Sequence, residues 1–267
     1  FPIESPAARV RVLFAARGPL ERSGLVAVGA PLGPLTSVGA LIDAACKVSK
    51  ALAQASPPAW GFGFGARPPS TAFSTWIDLA QANGGFYYIG GLDGFDPRTG
   101  RFEWSTNPAY TESIEALLAL RDRGCLMPGA FSLTQEEGLL ALAEGRVAFT
   151  FGTLRDLHAL QRLGASLKGI DVLPLPRPAV YVCSWYETGA GRTFHRTPWS
   201  SRASVEWLSW LASDDARRRW AERTFGPVVG ALGSPAGDAP TAFRHFLKLA
   251  PGETCPAPAP TDRNSAF

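Results

Sequence analysis

The chain has 267 residues, of which 46% are hydrophobic and 18% charged, enough for a sizeable core in one large domain or two small ones. Its net charge of +3 comes from 26 Lys and Arg scattered among 23 acids, without the basic stripe that marks a nucleic-acid partner, and no run reaches the roughly 20 apolar residues of a membrane-spanning helix. Cys46, Cys125, Cys183 and Cys255 lie far apart with no CxxC pair, which argues against a zinc site and for free buried thiols.

Phe1 begins in mid-pattern, with no charged and apolar leader before it, so the natural N-terminus is expected upstream. After Glu4-Ser5-Pro6, the alternation over residues 10–14 predicts a strand. Residues 37–52 place Val38, Leu41, Ile42, Ala45, Val48 and Leu52 on one stripe of a helix that Thr36 or Ser37 caps and Ser56-Pro57-Pro58 ends. Gly61, Gly63 and Gly65 fall in a short strand; their spacing lacks the later glycine and the helix start of a phosphate-binding loop. Residues 71–82 read as a helix stopped at Asn83-Gly84-Gly85, and residues 86–104 as a hairpin-like segment with turns at Asp96-Pro97 and Thr99-Gly100. Asn107 caps and Pro108 opens a helix carrying Tyr110, Ile114, Leu117, Leu118 and Arg121, which Gly124 ends. Thr134 and Glu137 form a capping box ahead of Leu139, Leu140, Leu142 and Ala143.

Residues 145–178 carry the strongest pattern. The apolar run 147–151 suits a strand buried on both faces of a parallel sheet, Gly152-Thr153 a tight turn, and Leu154, Leu157, Leu160 and Leu163 a helix capped by Thr153 and stopped by Gly164. Residues 170–173 form the returning strand. Such a unit points the free N–H groups of its helix at the crevice beyond the strand, so Gly152 and Thr153 are candidates to hold a hydroxyl or an anion; an ordinary strand-to-helix connection is the plainer reading. A β-branched side chain at 152 is expected to block that approach without unfolding the chain. Further on, residues 180–185 predict a strand, 188–192 a glycine-containing loop, and 200–212 a helix with Val205, Leu208 and Leu211 inward. Ser213-Asp214-Asp215 caps a second, Arg-rich helix, and residues 251–260 (PGETCPAPAP) read as an extended segment. Alternating helices and strands predict an α/β sheet covered on both faces.

Taken in order, these elements resemble the bacterial extracellular solute-binding proteins of ABC importers, in the sugar-binding, maltose-binding-protein-like subgroup. The resemblance rests on FPIES, the strand ending Phe14-Ala15-Ala16-Arg17, SVGALIDAACKVSKAL, Phe73-x-x-Trp76, Trp104-Ser105-Thr106-Asn107-Pro108, Leu142-x-x-Gly145-Arg146-Val147-Ala148-Phe149 before Gly152, LPLPRP and the late helical pair ending in Gly226-Pro227. It implies a type II periplasmic-binding-protein-like α/β clamshell of two lobes with the first lobe incomplete and both ends truncated. Residues 1–3 would be a hinge crossing, 4–180 the second lobe, 181–250 a hinge strand with a remnant of the first lobe, and 251–267 a Pro-rich return crossing. The implied protein is a monomer, periplasmic or extracellular with a lipid anchor in its missing N-terminus. It delivers a sugar or polyol to membrane permease subunits, with no nucleic-acid partner, cofactor, metal or catalytic residue. With half the clamp absent, weak sugar binding is expected of these 267 residues.

Aromatic faces stack on sugar rings while charged and amide groups bind hydroxyls. The resemblance places Phe73 at an aromatic cleft position with Arg67 on the same loop, where a solvated charge is the alternative. Trp76 opens a helix and competes with a core role; Glu4 follows the hinge and could equally be a free surface acid. Trp185 and Tyr186 follow the second crossing strand as a stacking wall or as inter-lobe core. Relatives often carry Trp two residues after the glycine of the central turn and Tyr-Asn after the first strand. Gly152-Thr153-Leu154 and Phe14-Ala15 depart from both, leaving room for a smaller or polar-headed ligand such as a glycerol phosphate. Two other functions stay open. A glycoside hydrolase needs paired carboxylates, and Glu103, Glu136, Glu137 and Glu187 sit on predicted turns or caps. A non-transporting sensor or scaffold lobe would bind partners without ligand. His158, His195 and His245 stand isolated, with no triad spacing.

Overall fold

Strand β1 (Pro2–Ala16) enters the sheet core with Val12, Leu13, Phe14, Ala15 and Ala16 all buried. The computed structural model describes residues 2–30, 32–33, 35–67, 69–83, 95–96, 101–102, 106–176, 184–190, 198–211, 213, 215–216 and 219. β5 (Val147–Thr153) lies antiparallel on one side of β1, with Leu13 opposite Phe151, and β6 (Ile170–Leu173) antiparallel on the other, with Leu13 opposite Leu173. β2 (Trp60–Phe62) adds to β5 in parallel, giving the order β2-β5-β1-β6. The expected βα unit is present, but its strands are not neighbours: β1 inserts between β5 and β6, so the sheet is mixed rather than parallel. The burial expected of residues 147–151 holds and extends through Thr153, and every residue of β6 is buried as well.

The chain divides into two compact units, one of Phe1–Val10 with Cys183–Ala257 and one of Arg11–Val182 with Pro258–Phe267. In the first, β7 (Ser184–Ala190) pairs antiparallel with the start of β1, Pro2 opposite Ala190 and Tyr186 opposite Ala8. The register shifts between Glu4 and Ala8. Pro6 lies in that interval, and a residue without an N–H donor is tolerated where a ladder is interrupted. The strand therefore continues through residues 188–190, where a glycine-containing loop was expected. α7 (Pro198–Leu211) follows; contrary to expectation its Val205 is exposed, as are Trp207 and Trp210, whose rings stack 5.1 Å apart. Ser213 caps as expected, its hydroxyl oxygen accepting the Ala216 N–H at 3.3 Å.

In the second unit α1 (Arg17–Arg22) leaves β1, and Arg17 Nε donates to Asp171 Oδ1 of β6 at 2.8 Å. α2 (Val38–Leu52) starts at Ser37, whose hydroxyl oxygen accepts from the Ala40 N–H at 3.1 Å, and all six stripe residues are buried. α3 (Pro69–Ala82) and the pair β3 (Phe95–Asp96) and β4 (Arg101–Phe102) follow, in the expected hairpin pairing. α4 (Pro108–Asp122) has the expected Asn107 cap and a left-handed Gly124. Its buried face, however, is Ala109, Tyr110, Ser113, Ala116 and Leu120, while Ile114 and Leu118 are exposed. Ala109, Ser113 and Ala116 are buried there beside Tyr110 and Leu120, and two bulky apolar residues are left outside. α5 (Gln135–Ala143) and α6 (Leu154–Arg162) complete the unit, with Gly164 in the left-handed region as expected. Residues 84–94, 103–105, 177–183 and 220–267, with the Gly84-Gly85 stop and the Pro-rich segment expected there, lie outside the described residues.

One reading of the sequence is overturned at the α2–β2 contact. Cys46 and Cys125 are not free thiols but a disulfide with Cα atoms 4.8 Å apart, across 79 residues of sequence. The Gly61-x-Gly63-x-Gly65 run serves close packing: a Cβ at Gly61 would fall on the Ala45 carbonyl, one at Gly63 on Val147, one at Gly65 on the Thr134 carbonyl. Around them Leu13, Leu41, Val48, Phe62, Leu79, Leu120, Phe149 and Phe151 make one core.

Candidate functional site

Two chain segments leave the α2–β2 contact side by side. Phe62 N–H donates to the Cys125 carbonyl at 2.9 Å, Ala66 N–H to Ala130 at 3.1 Å and Arg67 N–H to Leu133 at 2.8 Å. They end together, Arg67 bridged to Thr134, the N-cap of α5. The carboxyl end of β5 arrives at the same place, because Gln135 Nε2 donates to Asp156 Oδ1 of α6 at 3.2 Å. The result is a rim of Arg67, Thr134, Gln135, Glu137, Thr153 and Asp156 beyond the ends of β2 and β5, where open α/β sheets bind ligands.

Both helix starts at this rim are closed by their own carboxylates. Glu137 Oε2 accepts the Thr134 N–H at 2.7 Å and its hydroxyl at 2.9 Å, and Asp156 Oδ2 accepts the Thr153 N–H at 2.6 Å and its hydroxyl at 3.0 Å. The Thr134 N–H, then its hydroxyl, then the Arg67 charge hold the Glu137 carboxyl below its ordinary range. Sequence reading found the first box but missed Asp156, although Thr153-x-x-Asp156 carries the same spacing with the shorter acid. It also missed Phe131, exposed and edge-on to buried Phe64 at 5.5 Å on the way to α5.

The sequence-derived candidates fall into two groups. Arg67, exposed, Gly152 and Thr153, both buried, and Trp76 belong to the second unit. β5 runs straight through Gly152 and Thr153, opposite Val12 and Arg11, so the tight turn expected there is a strand end. A Cβ at Gly152 would stand 2.5 Å from Phe14 Cε2 and 2.9 Å from Asp156 Oδ2. Because the Phe14 ring is fully buried, a β-branched residue at 152 disrupts the sheet, and blocking a ligand without unfolding is not an attainable outcome there. Trp76 is half-buried in α3, its indole N–H donating to the Tyr110 carbonyl at 3.1 Å. Phe73 lies one turn into the same helix, with its side chain outside the described residues. Glu4, Trp185 and Tyr186 belong to the first unit: Glu4 pairs with Thr188, and Trp185 and Tyr186 lie within β7 rather than on a loop after it. Among the described residues no group of His, Cys, Asp and Glu is arranged to hold a metal ion, and no helix is long and apolar enough to cross a membrane.

No family model matches the chain, and no curated protein matches it in sequence. Solved structures do match in fold. A chitin oligosaccharide binding protein superposes with a TM-score of 0.68 at 18% identity over 91% of this chain and 57% of its own. The maltose-bound MalE3 of T. maritima gives 0.66 at 15% identity, over 96% of this chain and 62% of its own. The sugar-binding protein MalE from Xanthomonas citri gives 0.60 at 12% identity, over 97% and 61%. Two of these are described as binding proteins and the third holds maltose, and the chain spans about three-fifths of the length of each. The chain therefore has the mixed α/β fold of these MalE-like proteins.

Proposed function

We infer that the chain is the periplasmic or extracellular solute-binding component of an ABC importer, which binds a carbohydrate or related polyol and passes it to a membrane permease without turning it over. The observation that carries this reading is the fold likeness to sugar-binding proteins over 91–97% of the chain. In this reading residues 4–180 are the second lobe, 1–3 and 251–267 are crossings, and 181–250 hold a hinge strand with part of the first lobe. Arg67, Phe73, Trp76, Gly152 and Thr153 in the second unit, and Glu4, Trp185 and Tyr186 in the first, are the candidates for ligand contact. The rim favours a neutral ligand over the glycerol phosphate suggested by sequence. An anion at the start of α5 or α6 meets Glu137 or Asp156 on the donors it needs, and like charge at close range costs several kcal/mol.

The test is a calorimetric titration of a protein carrying both lobes against maltose, chitobiose, laminaribiose, glycerol and glycerol 3-phosphate, with a reducing-sugar assay in parallel. Binding of a neutral sugar without turnover is the expected result, weakened by Phe73→Ala through loss of a stacking face worth roughly 0.5–1.5 kcal/mol. Release of reducing ends, or no binding across the panel, overturns the reading.

A further inference from the structure

We propose that the Cys46–Cys125 disulfide is an oxidation-dependent clamp, so that the second unit reaches its working stability, and its rim its binding geometry, only where thiols are oxidised. The bridge ties the middle of α2 to the segment after α4 that flanks β2. Four hydrogen bonds converge on the same spot. Ser49 Oγ accepts the Gly61 N–H at 2.7 Å and donates to the Cys125 carbonyl at 3.4 Å, Phe62 N–H donates to Cys125 at 2.9 Å, and Met127 N–H donates to Phe62 at 2.8 Å. Gly61 itself lies against the Ala45 backbone, next in sequence to Cys46. A loop of 79 residues closed at this point removes much of the freedom of the unfolded chain. From here the paired segments lead, through the Ala66–Ala130 and Arg67–Leu133 hydrogen bonds, to the α5 N-terminus and the rim. Slack at the bridge is therefore transmitted to Arg67 and Thr134, not absorbed in a surface loop.

The redox step is thiol–disulfide exchange. The Cys46 and Cys125 thiols lose two protons and two electrons to an external disulfide, an Sγ–Sγ bond forms, and the external disulfide leaves as two thiols. An exported protein meets such oxidants and a cytosolic one does not. The inference concerns folding first; its consequence for ligand rests on the receptor reading above.

The experiment uses the 267-residue chain prepared under air, with peptide-resolved alkylation of Cys46 and Cys125 before and after dithiothreitol, and thermal melts of wild type and of the Cys46→Ala/Cys125→Ala variant. Both cysteines should resist alkylation until reduced. The melting temperature should fall by roughly 5–15 °C on reduction, the variant should melt with the reduced wild type, and dithiothreitol should leave the variant unchanged. The variant keeps the test decisive where the buried bridge resists the reagent. Free thiols in the air-prepared protein, or a variant that melts with the oxidised wild type, overturns the clamp. Failure of the oxidised two-lobe protein to bind any panel sugar overturns the receptor reading alone.

Discussion

The crossing of α2 over β2 leaves no space for a single added carbon, whereas the starts of α5 and α6 are each secured by one carboxylate reaching back three residues. At the crossing, fit is set between separate chain segments: Gly61 lies on the Ala45 backbone, Ser49 Oγ accepts the Gly61 N–H, and Cys46 is bonded to Cys125. At the rim it is set by side chains that lie close in sequence, Thr134 with Glu137 and Thr153 with Asp156. The first arrangement is cooperative and intolerant of change; the second is modular, each cap worth about 1 kcal/mol. Binding surfaces benefit from the second kind, because residues between the caps can vary without loss of the helices.

The comparison breaks most visibly at Gly61. Gly61→Val sets a side chain on the Ala45 carbonyl and should cost more than about 4 kcal/mol, leaving little folded protein by urea titration with circular dichroism. A Gly61→Val protein as stable as wild type would mean that α2 can lift from β2 freely. Next comes the core face itself. Leu41→Ala, fully buried on α2, should cost about 2–5 kcal/mol. Leu118→Ala, on the exposed side of α4, should stay within about 0.5 kcal/mol in the same titration. Equal losses in the two would place the Leu118 face of α4 in the core, against the structure. At the rim Thr134→Ala should cost only about 1 kcal/mol, through the cap.

What was legible in the sequence follows the same division. Asn107, Gly124, Thr134 and Gly164 could be assigned, and the cap of α2 narrowed to Thr36 or Ser37, because a cap or a left-handed stop depends on residues within one turn. The stripe of α2 could be read because its apolar residues are large and regularly spaced. α4 misled in part: Tyr110 is buried as a large apolar residue should be, but Ala109, Ser113 and Ala116 share its face, and hydrophobicity drew attention to Ile114 and Leu118 instead. The disulfide was hidden because two thiols 79 residues apart declare no partner until the sheet brings them together. The strand order was hidden for a related reason: β1 lies between β5 and β6 in space but far before them in sequence. Of the residues at the rim, Arg67 and Thr153 had been singled out in the sequence and Asp156 had not, since its role requires knowing that β5 ends at Thr153.

The smallest expected effect is a dependence on pH, and it separates charge from shape at the α5 cap. In the folded chain the Thr134 N–H, the Thr134 hydroxyl and the Arg67 charge lower the Glu137 pKa from its ordinary 4.5. A carboxyl whose folded pKa lies below its unfolded value binds protons more readily when unfolded. Its stabilising contribution is therefore full above about pH 4.5 and is lost as pH falls through the lower folded value. Asp122, lowered by Arg121, loses its contribution in the same acid range, so the wild type alone cannot isolate the cap. Glu137→Gln can, because a glutamine at this position still accepts the Thr134 N–H while carrying no charge. The melting-temperature difference between wild type and Glu137→Gln should be constant from about pH 6 to 8 and shrink toward zero below the ordinary glutamate range. High salt should reduce the neutral-pH difference as well, since the Arg67 attraction is exposed to solvent. A difference that persists unchanged to pH 3 would show that the geometry of the cap, not its charge, holds the helix start.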